Sequence, residues 1–524
     1  MTNSSLDMAE SSGHPGDKVS PHKVATLRQN RKKLVGLVLG PVLFIAVVLM
    51  PSVAGLPVGA QRMAAVAILM AVWWTLESAP IPVTSLLPIV LCPLLDIMPT
   101  AQVTARYGSP IIFMFMGAFI IALAMQRWNL HRRVALHIVK VVGLSAKRVV
   151  FGFMLATAVL SAFVSNTATA VMMMPVGLAI IGQMVEGAAL DSANAQTVKN
   201  FSLNLMLGIA YAATIGGMAT LVGTPPNAVF AGYMQSTYGY EISFYDWAKL
   251  GVPLALVLIP LTWWWLTSVM NPMRPMNFER SRQVIDLELA EMGAMSRGEM
   301  WTAVIFGATA FGWIFKGQLN SLVHTPSYLT DANIAIAGAL ALFLVPLDWR
   351  RGEFVMNWEW AVKLPWDVLI LFGGGLALAG GFTESGLSSW IGGQAEQMGH
   401  WPTILFITSV VTLIIFLTEL TSNTATAAMI IPILAAIAIG LNQNPLLLVI
   451  PATLAASCAF MLPVATPPNA IVFGSGHVTI PEMSRSGVGL NVIGVAVVVG
   501  ATFAIAFSVF EIQEGVLPLW AAGQ

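Results

Sequence analysis

Charge is scarce in this sequence. Only 10% of the 524 residues are charged, whereas 57% are hydrophobic, and a soluble domain has about 25% charged residues. The net charge is zero, and no block of basic residues indicates a nucleic-acid partner. The composition therefore excludes an ordinary soluble domain and predicts a protein that lies within a membrane.

Cysteines and catalytic motifs are scarce as well. Cys92 and Cys458 lie far apart in apolar segments, which favours buried thiols over a disulfide or a metal site. The sequence contains no G-x-S-x-G, H-E-x-x-H or phosphate-binding loop, so we do not expect an enzyme. Residues 1–33 are polar and lack the apolar core of a signal peptide, which predicts a disordered cytosolic tail.

The sequence does contain a pair of repeated motifs. SNTAT begins at Ser165 and again at Ser422, and each copy is followed by TPPNA, beginning at Thr224 and at Thr466. Two motifs repeated in the same order indicate an internal duplication. Polar residues inside long apolar runs are expensive and so are usually functional. In a duplicated membrane protein, such matched polar breaks are typical of the binding site of a secondary transporter.

The apolar runs set the number of membrane crossings. Segments 148–183 and 402–440 are apolar on both sides of SNTAT, and each is long enough for two helices. We predict a re-entrant helical hairpin in each, with SNT at its tip, although a kinked span followed by another span is an alternative. The other apolar segments of spanning length are 34–51, 61–77, 82–98, 109–127, 202–236, 250–270, 301–316, 332–347, 366–382, 446–476 and 489–511.

Positive charge predicts the orientation. With the N-terminus in the cytosol, all but four of the 25 Lys and Arg residues fall on the cytosolic side, as membrane proteins favour. Each half has five spans and one hairpin, so the two halves have opposite orientations and form an inverted repeat. The predicted units are the tail 1–33, the first helix 34–60, repeat 1 at 61–270, a cytosolic linker at 271–300, repeat 2 at 301–511 and an extracellular C-terminus at 512–524.

The two motifs offer complementary chemistry. Free N–H groups where a helix begins just after SNT suit an anion, although Ser and Asn also simply cap helices. The paired prolines of TPPNA interrupt a helix interior, so 202–236 and 446–476 are predicted to be broken helices. The exposed carbonyls of such breaks can bind sodium. A structural proline kink is the alternative.

Two further positions match between the halves. Ser161 and Thr418 each stand four residues before the SNT serine, on the same helix face, which favours a role as an oxygen ligand for a cation; back-bonding to the helix is the alternative. Neither motif contains a charged residue, so a bound anion requires co-bound cations. Glu419 is the exception, and it is interpreted as bracing the tip rather than binding a cation or carrying a proton.

The paired SNT and T-P motifs, with the contexts GMATLVGTPPNAV and LPVATPPNAIVFGSG, resemble the divalent anion/sodium symporter family of INDY-type dicarboxylate, citrate and sulfate transporters. The resemblance covers nearly all of the chain beyond residue 34. It implies an all-α polytopic membrane protein with two re-entrant hairpins and two broken helices. It also implies a homodimer in which a mobile transport domain moves against a fixed scaffold, as in an elevator.

The resemblance also implies a binding site. At least two sodium ions are expected, one in each half. The implied substrate contacts are Asn166, Thr167, Thr224, Pro225, Ser422, Asn423, Thr424, Thr466 and Pro467. The implied sodium ligands are Ser161, Ser165, Asn166 and the Gly223 carbonyl in the first half, and Thr418, Ser422, Asn423 and the Ala465 carbonyl in the second.

The resulting expectation is a sodium-coupled symporter of C4-dicarboxylates (succinate, malate and fumarate) in the cell membrane. A dicarboxylate exchanger and a sodium-coupled carrier of citrate or sulfate are alternatives within the same class. An anion channel and a receptor that binds without flux are alternatives from other classes. The expected partners are the dicarboxylate anion, sodium ions, membrane lipid and a second copy of the chain, and no nucleic acid is expected.

Overall fold

The computed structural model describes residues 21–51, 55–143, 145–187, 192–274, 279–322, 329–396 and 401–522. It is 78% helix and 1% strand, so the predicted all-α class is confirmed. The strands form one short antiparallel hairpin, β1 (Pro346–Asp348) with β2 (Glu353–Phe354), in which Pro346 pairs with Phe354.

The first half of the chain forms twelve helices among the described residues, and a π-helical turn, Trp265–Met270, follows the last of them. The helices are α1 Pro21–Leu49, α2 Val58–Leu76, α3 Ile81–Thr84, α4 Leu87–Leu94, α5 Thr100–Tyr107, α6 Pro110–Arg127, α7 Leu130–Val142, α8 Ala146–Ser161, α9 Asn166–Gly187, α10 Ser192–Met218, α11 Pro225–Tyr238 and α12 Phe244–Trp264.

The remaining described residues form fourteen more helices, with a π-helical turn at Thr502–Ala506. They are α13 Glu279–Met292, α14 Arg297–Ile314, α15 Lys316–Leu322, α16 Asp331–Leu344, α17 Trp358–Ala361, α18 Trp366–Glu384, α19 Leu387–Glu396, α20 Thr403–Thr418, α21 Asn423–Gly440, α22 Leu446–Ala456, α23 Pro467–Gly474, α24 Ile480–Ala501, α25 Phe507–Val509 and α26 Leu519–Ala522.

Nine helical stretches of the described chain are long and apolar enough to cross a membrane, and four shorter helical segments are also apolar. The protein is therefore a multi-pass membrane protein. The inverted orientation of the two repeats stays a prediction from the distribution of Lys and Arg.

Two sequence boundaries were wrong. Residues 21–33, which were predicted to be disordered tail, continue α1 toward the N-terminus, because the Lys, Arg, Leu and Gln residues there favour helix. The rest of the tail, 1–20, lies outside the described residues. The predicted span 82–98 is divided into α3 and α4, since Pro88 favours the first turn of a new helix over a helix interior.

The helices that carry the repeated motifs lie at the centre of the fold. The apolar stretch of α10 is entirely buried, and α10 packs against α8, α9, α12 and α23. The two halves interleave, because α23 of the second half contacts α9 and α10, while α11 of the first half contacts α21 and α22. Each broken helix therefore lies beside the SNT hairpin of the other half.

Candidate binding site

The first SNT motif lies at a turn between two packed helices. Helix α8 ends at Ser161 and α9 begins at Asn166. The Ser165 hydroxyl caps α9 by accepting a hydrogen bond from the Ala168 N–H at 3.3 Å. The Thr220 hydroxyl donates to the Ala162 carbonyl, which attaches this turn to the interruption that follows α10.

Four oxygens converge behind the first turn. Ser161 Oγ lies 2.7 Å from Asn166 Oδ1 and 2.6 Å from the Ala213 carbonyl oxygen. The same amide position of Asn166 lies 3.1 Å from the Ala213 oxygen and 3.2 Å from the Gly223 oxygen. Of these four oxygens only that of Ser161 carries a proton, which the other three share. Rotation of the amide would place an N–H group there, and a cation would satisfy the oxygens without that rotation.

The second SNT motif repeats this geometry. Helix α20 ends at Thr418 and α21 begins at Asn423. The Thr418 hydroxyl lies 2.7 Å from Asn423 Oδ1 and 2.9 Å from the Ala456 carbonyl oxygen. Ser161 and Thr418 are both fully buried, so each half brings together a hydroxyl, an asparagine amide and a carbonyl of the broken helix. Ala456 is the last residue of α22, whereas Ala213 lies within α10.

The TPPNA motifs begin the second part of each broken helix. Helix α10 stops at Met218 and α11 begins at Pro225, while α22 stops at Ala456 and α23 begins at Pro467. Thr224 lies in extended conformation before α11 and touches the first tip, with Asn166 Nδ2 at 3.5 Å from its hydroxyl. Thr466 is likewise extended and caps α23 through the Asn469 N–H.

The asparagines of TPPNA hold the interruptions in place, a role that the sequence analysis missed. Asn227 Nδ2 donates to the carbonyls of Gly217 and Thr220 at 3.3 and 2.8 Å. Asn469 Nδ2 donates to the carbonyls of Ala459 and Leu462 at 3.2 and 3.1 Å. In both halves these carbonyls lie ten and seven residues before the asparagine, a symmetry visible only in the folded chain.

At two positions of the first half, neighbouring atoms lie so close to the backbone that only glycine fits. A Cβ on Gly217 would overlap the amide of Asn166, and a Cβ on Gly223 would lie 2.5 Å from the Gly217 carbonyl oxygen. Any larger residue at either position would displace the oxygens of the first cluster.

Most of the expected site residues lie around the two clusters, although not all take part in a contact. The first cluster contains Ser161, Asn166 and Gly223, and Thr224 joins it through Asn166. The second contains Thr418 and Asn423. The sequence did not identify the Ala213 and Ala456 carbonyls. Of the remaining expected residues, Thr424, Ala465 and Thr466 are buried, Ser165, Pro225 and Ser422 are half-buried, and Thr167 and Pro467 are exposed.

Glu419 lies between the second hairpin and the second interruption, and it is almost fully buried. Its carboxylate accepts hydrogen bonds from the backbone N–H groups of Phe460, Met461 and Leu462 and from Asn491 Nδ2. These contacts match the bracing interpretation from the sequence. None of the ion pairs found among the described residues includes Glu419 or a residue of either cluster.

The family model described as the sodium:sulfate symporter transmembrane region matches residues 31–509. The chain belongs to this family. The match covers both broken helices, and both oxygen clusters lie within the part of the chain that the family shares.

Family relatives carry more specific names. The chain is 42% identical over 471 residues to a protein of Staphylococcus saprophyticus named sodium-dependent dicarboxylate transporter SdcS, covering 90% of this chain and 91% of the relative. It is 43% identical over 470 residues to the protein of that name from Staphylococcus aureus strain USA300, covering 89% and 90%.

A solved structure resembles the fold. The YdaH transporter of Alcanivorax borkumensis, whose crystal structure is described as having an unusual topology, aligns with a TM-score of 0.50 at 14% identity. The alignment covers 78% of this chain and 88% of that chain. At this identity the likeness concerns the fold alone.

Proposed function

We propose that this protein is a secondary active transporter that couples the movement of a C4-dicarboxylate, such as succinate, malate or fumarate, to sodium. The observation that carries the proposal is the pair of buried clusters, in each of which a hydroxyl, an asparagine amide and a backbone carbonyl meet. Oxygen donors of this kind suit a hard cation. The names of the relatives, sodium-dependent dicarboxylate transporters, agree with sodium as that cation.

The anion would bind between the helix beginnings beside the clusters. Helices α9 and α21 begin at the two asparagines of SNT, where free N–H groups and the helix dipole favour negative charge. Helices α11 and α23 begin at the two TPP segments and lie against the hairpins of the opposite half. The proposed substrate contacts are Asn166, Thr167, Thr224, Pro225, Ser422, Asn423, Thr424, Thr466 and Pro467.

Charge balance supports the coupling to sodium. A dicarboxylate carries two negative charges, and no Lys or Arg of the motifs would neutralise them. A dianion bound in this buried site without any cation nearby would be strongly unfavourable. Two or more sodium ions would offset that charge, with Ser161, Ser165, Asn166 and Gly223 as ligands in one half. Thr418, Ser422, Asn423 and Ala465, joined by Ala456, would bind the other ion.

The proposed transport mechanism is an elevator. Helices α8 to α11 and α20 to α23 contact one another across the two halves, which suits a single moving body, while α6, α14 and α16 pack together and α6 also touches α11. We further propose a homodimer in the cell membrane, surrounded by lipid, with the N-terminus in the cytosol and the C-terminus outside. These last features depend on the charge bias and the family resemblance.

Sulfate is a second candidate substrate, because the matched family model is described by sodium and sulfate. A sulfate ion is also divalent, and it would bind to the free N–H groups at the same helix N-termini. The name shared by the relatives at 42% and 43% identity favours the dicarboxylate.

Uptake by proteoliposomes tests the proposal. Purified protein would be given labelled succinate with an inward sodium gradient, with equal sodium on both sides, or with choline in place of sodium. Accumulation above equilibrium only with the gradient is the expected result. Flux without accumulation would indicate a channel, uptake that requires internal dicarboxylate would indicate an exchanger, and stronger competition by sulfate than by malate would reverse the substrate assignment.

A further inference from the structure

The two interruptions in the broken helices differ in length. Helix α10 continues to Met218, six residues before Thr224, whereas α22 stops at Ala456, ten residues before Thr466. A glycine packs against each interruption at the same place: Gly251 against Met218 and Ala219, and Gly487 against Phe460 and Met461. The glycines contact residues six and five positions before the threonine in both halves, so the two halves can be compared residue by residue.

In the second half, Glu419 accepts hydrogen bonds from backbone N–H groups. In a longer helix these groups would bond to carbonyls of the helix itself. Its carboxylate accepts the N–H groups of Phe460 at 2.7 Å, Met461 at 2.9 Å and Leu462 at 3.1 Å. Asn491 Nδ2 adds a fourth hydrogen bond at 2.9 Å. Buried N–H groups need an acceptor, and this one lets the chain stay unwound after Ala456.

Neither residue has a polar counterpart in the first half. Ala162 stands where Glu419 would be, one residue after the cluster hydroxyl, and Ala255 stands where Asn491 would be, four residues after the packed glycine. There the chain stays helical to Met218, and the Ala219 N–H bonds to the Gly216 carbonyl at 3.0 Å. The first interruption is held by neutral donors, among them the Trp247 indole N–H, 3.0 Å from the Met218 carbonyl.

Charge is the second difference. Glu419 is 3% exposed, and it makes no ion pair within the part of the chain that the structure describes. It directly follows Thr418, the hydroxyl of the second cluster, and it anchors the segment that begins at the Ala456 carbonyl of the same cluster. The four N–H donors favour the ionised carboxylate, and a negative charge in a buried site favours a nearby cation.

We propose that Glu419, held by Asn491, is a positioning residue that keeps residues 457–466 unwound and makes the second oxygen cluster bind sodium more tightly than the first. This inference deepens the proposed function and rests on it. The two duplicated sites would then be unequal: the second cluster would fill at lower sodium concentration, and the first, which has only neutral groups, would fill later.

Sodium-dependent thermal stability tests the inference without transport. A ligand that binds only the folded state raises stability as its concentration passes the dissociation constant. Purified protein would be unfolded over a sodium series at constant ionic strength in choline, without succinate. In the wild type we expect stabilisation in two concentration ranges. Thr418→Ala should move the lower range to higher sodium, and Ser161→Ala should move the upper one.

The charge effect is then isolated by double variants. Glu419→Gln should move the lower range to roughly tenfold higher sodium or more, the scale expected for losing one nearby full charge. The same shift should persist at full size in the Ser161→Ala background and be smaller in the Thr418→Ala background, because only coupled sites deviate from additivity. A purely structural role would lower the baseline stability equally in both backgrounds.

Contrary outcomes are distinct. An unshifted lower range in Glu419→Gln, or a shift of the same size with and without Thr418→Ala, would overturn the inference. If Glu419→Gln does not yield monodisperse protein, Asn491→Ala, which keeps the charge and removes one hydrogen bond, should give a smaller shift of the same range, and no shift would overturn the inference. Absence of any sodium effect in the wild type, with no succinate uptake, would instead refute the proposed function.

Discussion

The Ser161 hydroxyl lies 2.7 Å from Asn166 Oδ1, across the turn that joins α8 to α9. Thr418 and Asn423 stand at the same separation in the second half. Each hydroxyl also contacts a carbonyl of the broken helix of its own half, Ala213 or Ala456. A single side chain thus joins the hairpin to the broken helix, and this junction is where we place the cation.

The first prediction concerns these hydroxyls in transport. Ser161→Ala and Thr418→Ala should each raise the sodium concentration for half-maximal succinate uptake by roughly tenfold, the effect of losing about 1.4 kcal/mol of binding. Because coupling between two ligands is reciprocal, apparent succinate affinity should fall at low sodium and recover at saturating sodium. A changed ranking of succinate over other anions, with an unchanged sodium curve, would show that the hydroxyls face the substrate.

The second prediction uses two adjacent glycines to distinguish an effect on sodium binding from an effect on the stability of the fold. A Cβ at Gly217 would overlap the side-chain amide of Asn166, which can move aside, whereas a Cβ at Gly216 would overlap the backbone of Ala158, which cannot. Gly217→Ala should therefore keep the thermal stability and lose most sodium-dependent uptake. Gly216→Ala should lower the melting temperature itself.

A third glycine supplies the control. Gly307 lies in α14 with no atom near the position of a Cβ, so Gly307→Ala should leave uptake unchanged and raise stability by about 0.4–1 kcal/mol. Normal sodium dependence in folded Gly217→Ala protein would show that Asn166 is not a ligand.

The sequence predicted much of this arrangement because its signals are local. Prolines break a helix wherever they occur, and the spacing of Ser161 from Ser165 is a property of one helix turn. The carbonyls of Ala213 and Ala456 were missed because every residue has a carbonyl, and only the tertiary fold selects which ones meet the hydroxyls. The unequal lengths of the interruptions were also missed, since they depend on Glu419 reaching residues about forty positions away.

The third prediction tests the membrane orientation, which the charge bias alone supports. Gln394 on α19 and Arg350 in the turn between β1 and β2 are both exposed, and the two native cysteines are buried. In a background without cysteine, Gln394→Cys should react with an impermeant thiol reagent from outside the cell. Arg350→Cys should react only after the membrane is opened. The reverse pattern would invert the proposed topology and place the C-terminus in the cytosol.

The fourth prediction concerns the amides that hold the interruptions. Asn227 and Asn469 are fully buried, and each donates to two backbone carbonyls at the interruption of its broken helix. Replacing either by Ala should lower the free energy of unfolding by about 2 kcal/mol, because buried carbonyls would lose their donors. The exposed amide of Gln196 on α10 provides the control, and Gln196→Ala should stay within about 0.5 kcal/mol of the wild type.

The two asparagine variants should differ in transport. Asn469 donates to Ala459 and Leu462, which both lie in the longer unwound segment, whereas one acceptor of Asn227, Gly217, still belongs to α10. Asn469→Ala should therefore weaken sodium binding at the second cluster. It should raise the sodium concentration for half-maximal uptake more than Asn227→Ala does. Equal shifts, measured by uptake across a sodium series, would mean that the adjoining helix does not support the first interruption. The length of the unwound segment would then have no bearing on sodium binding.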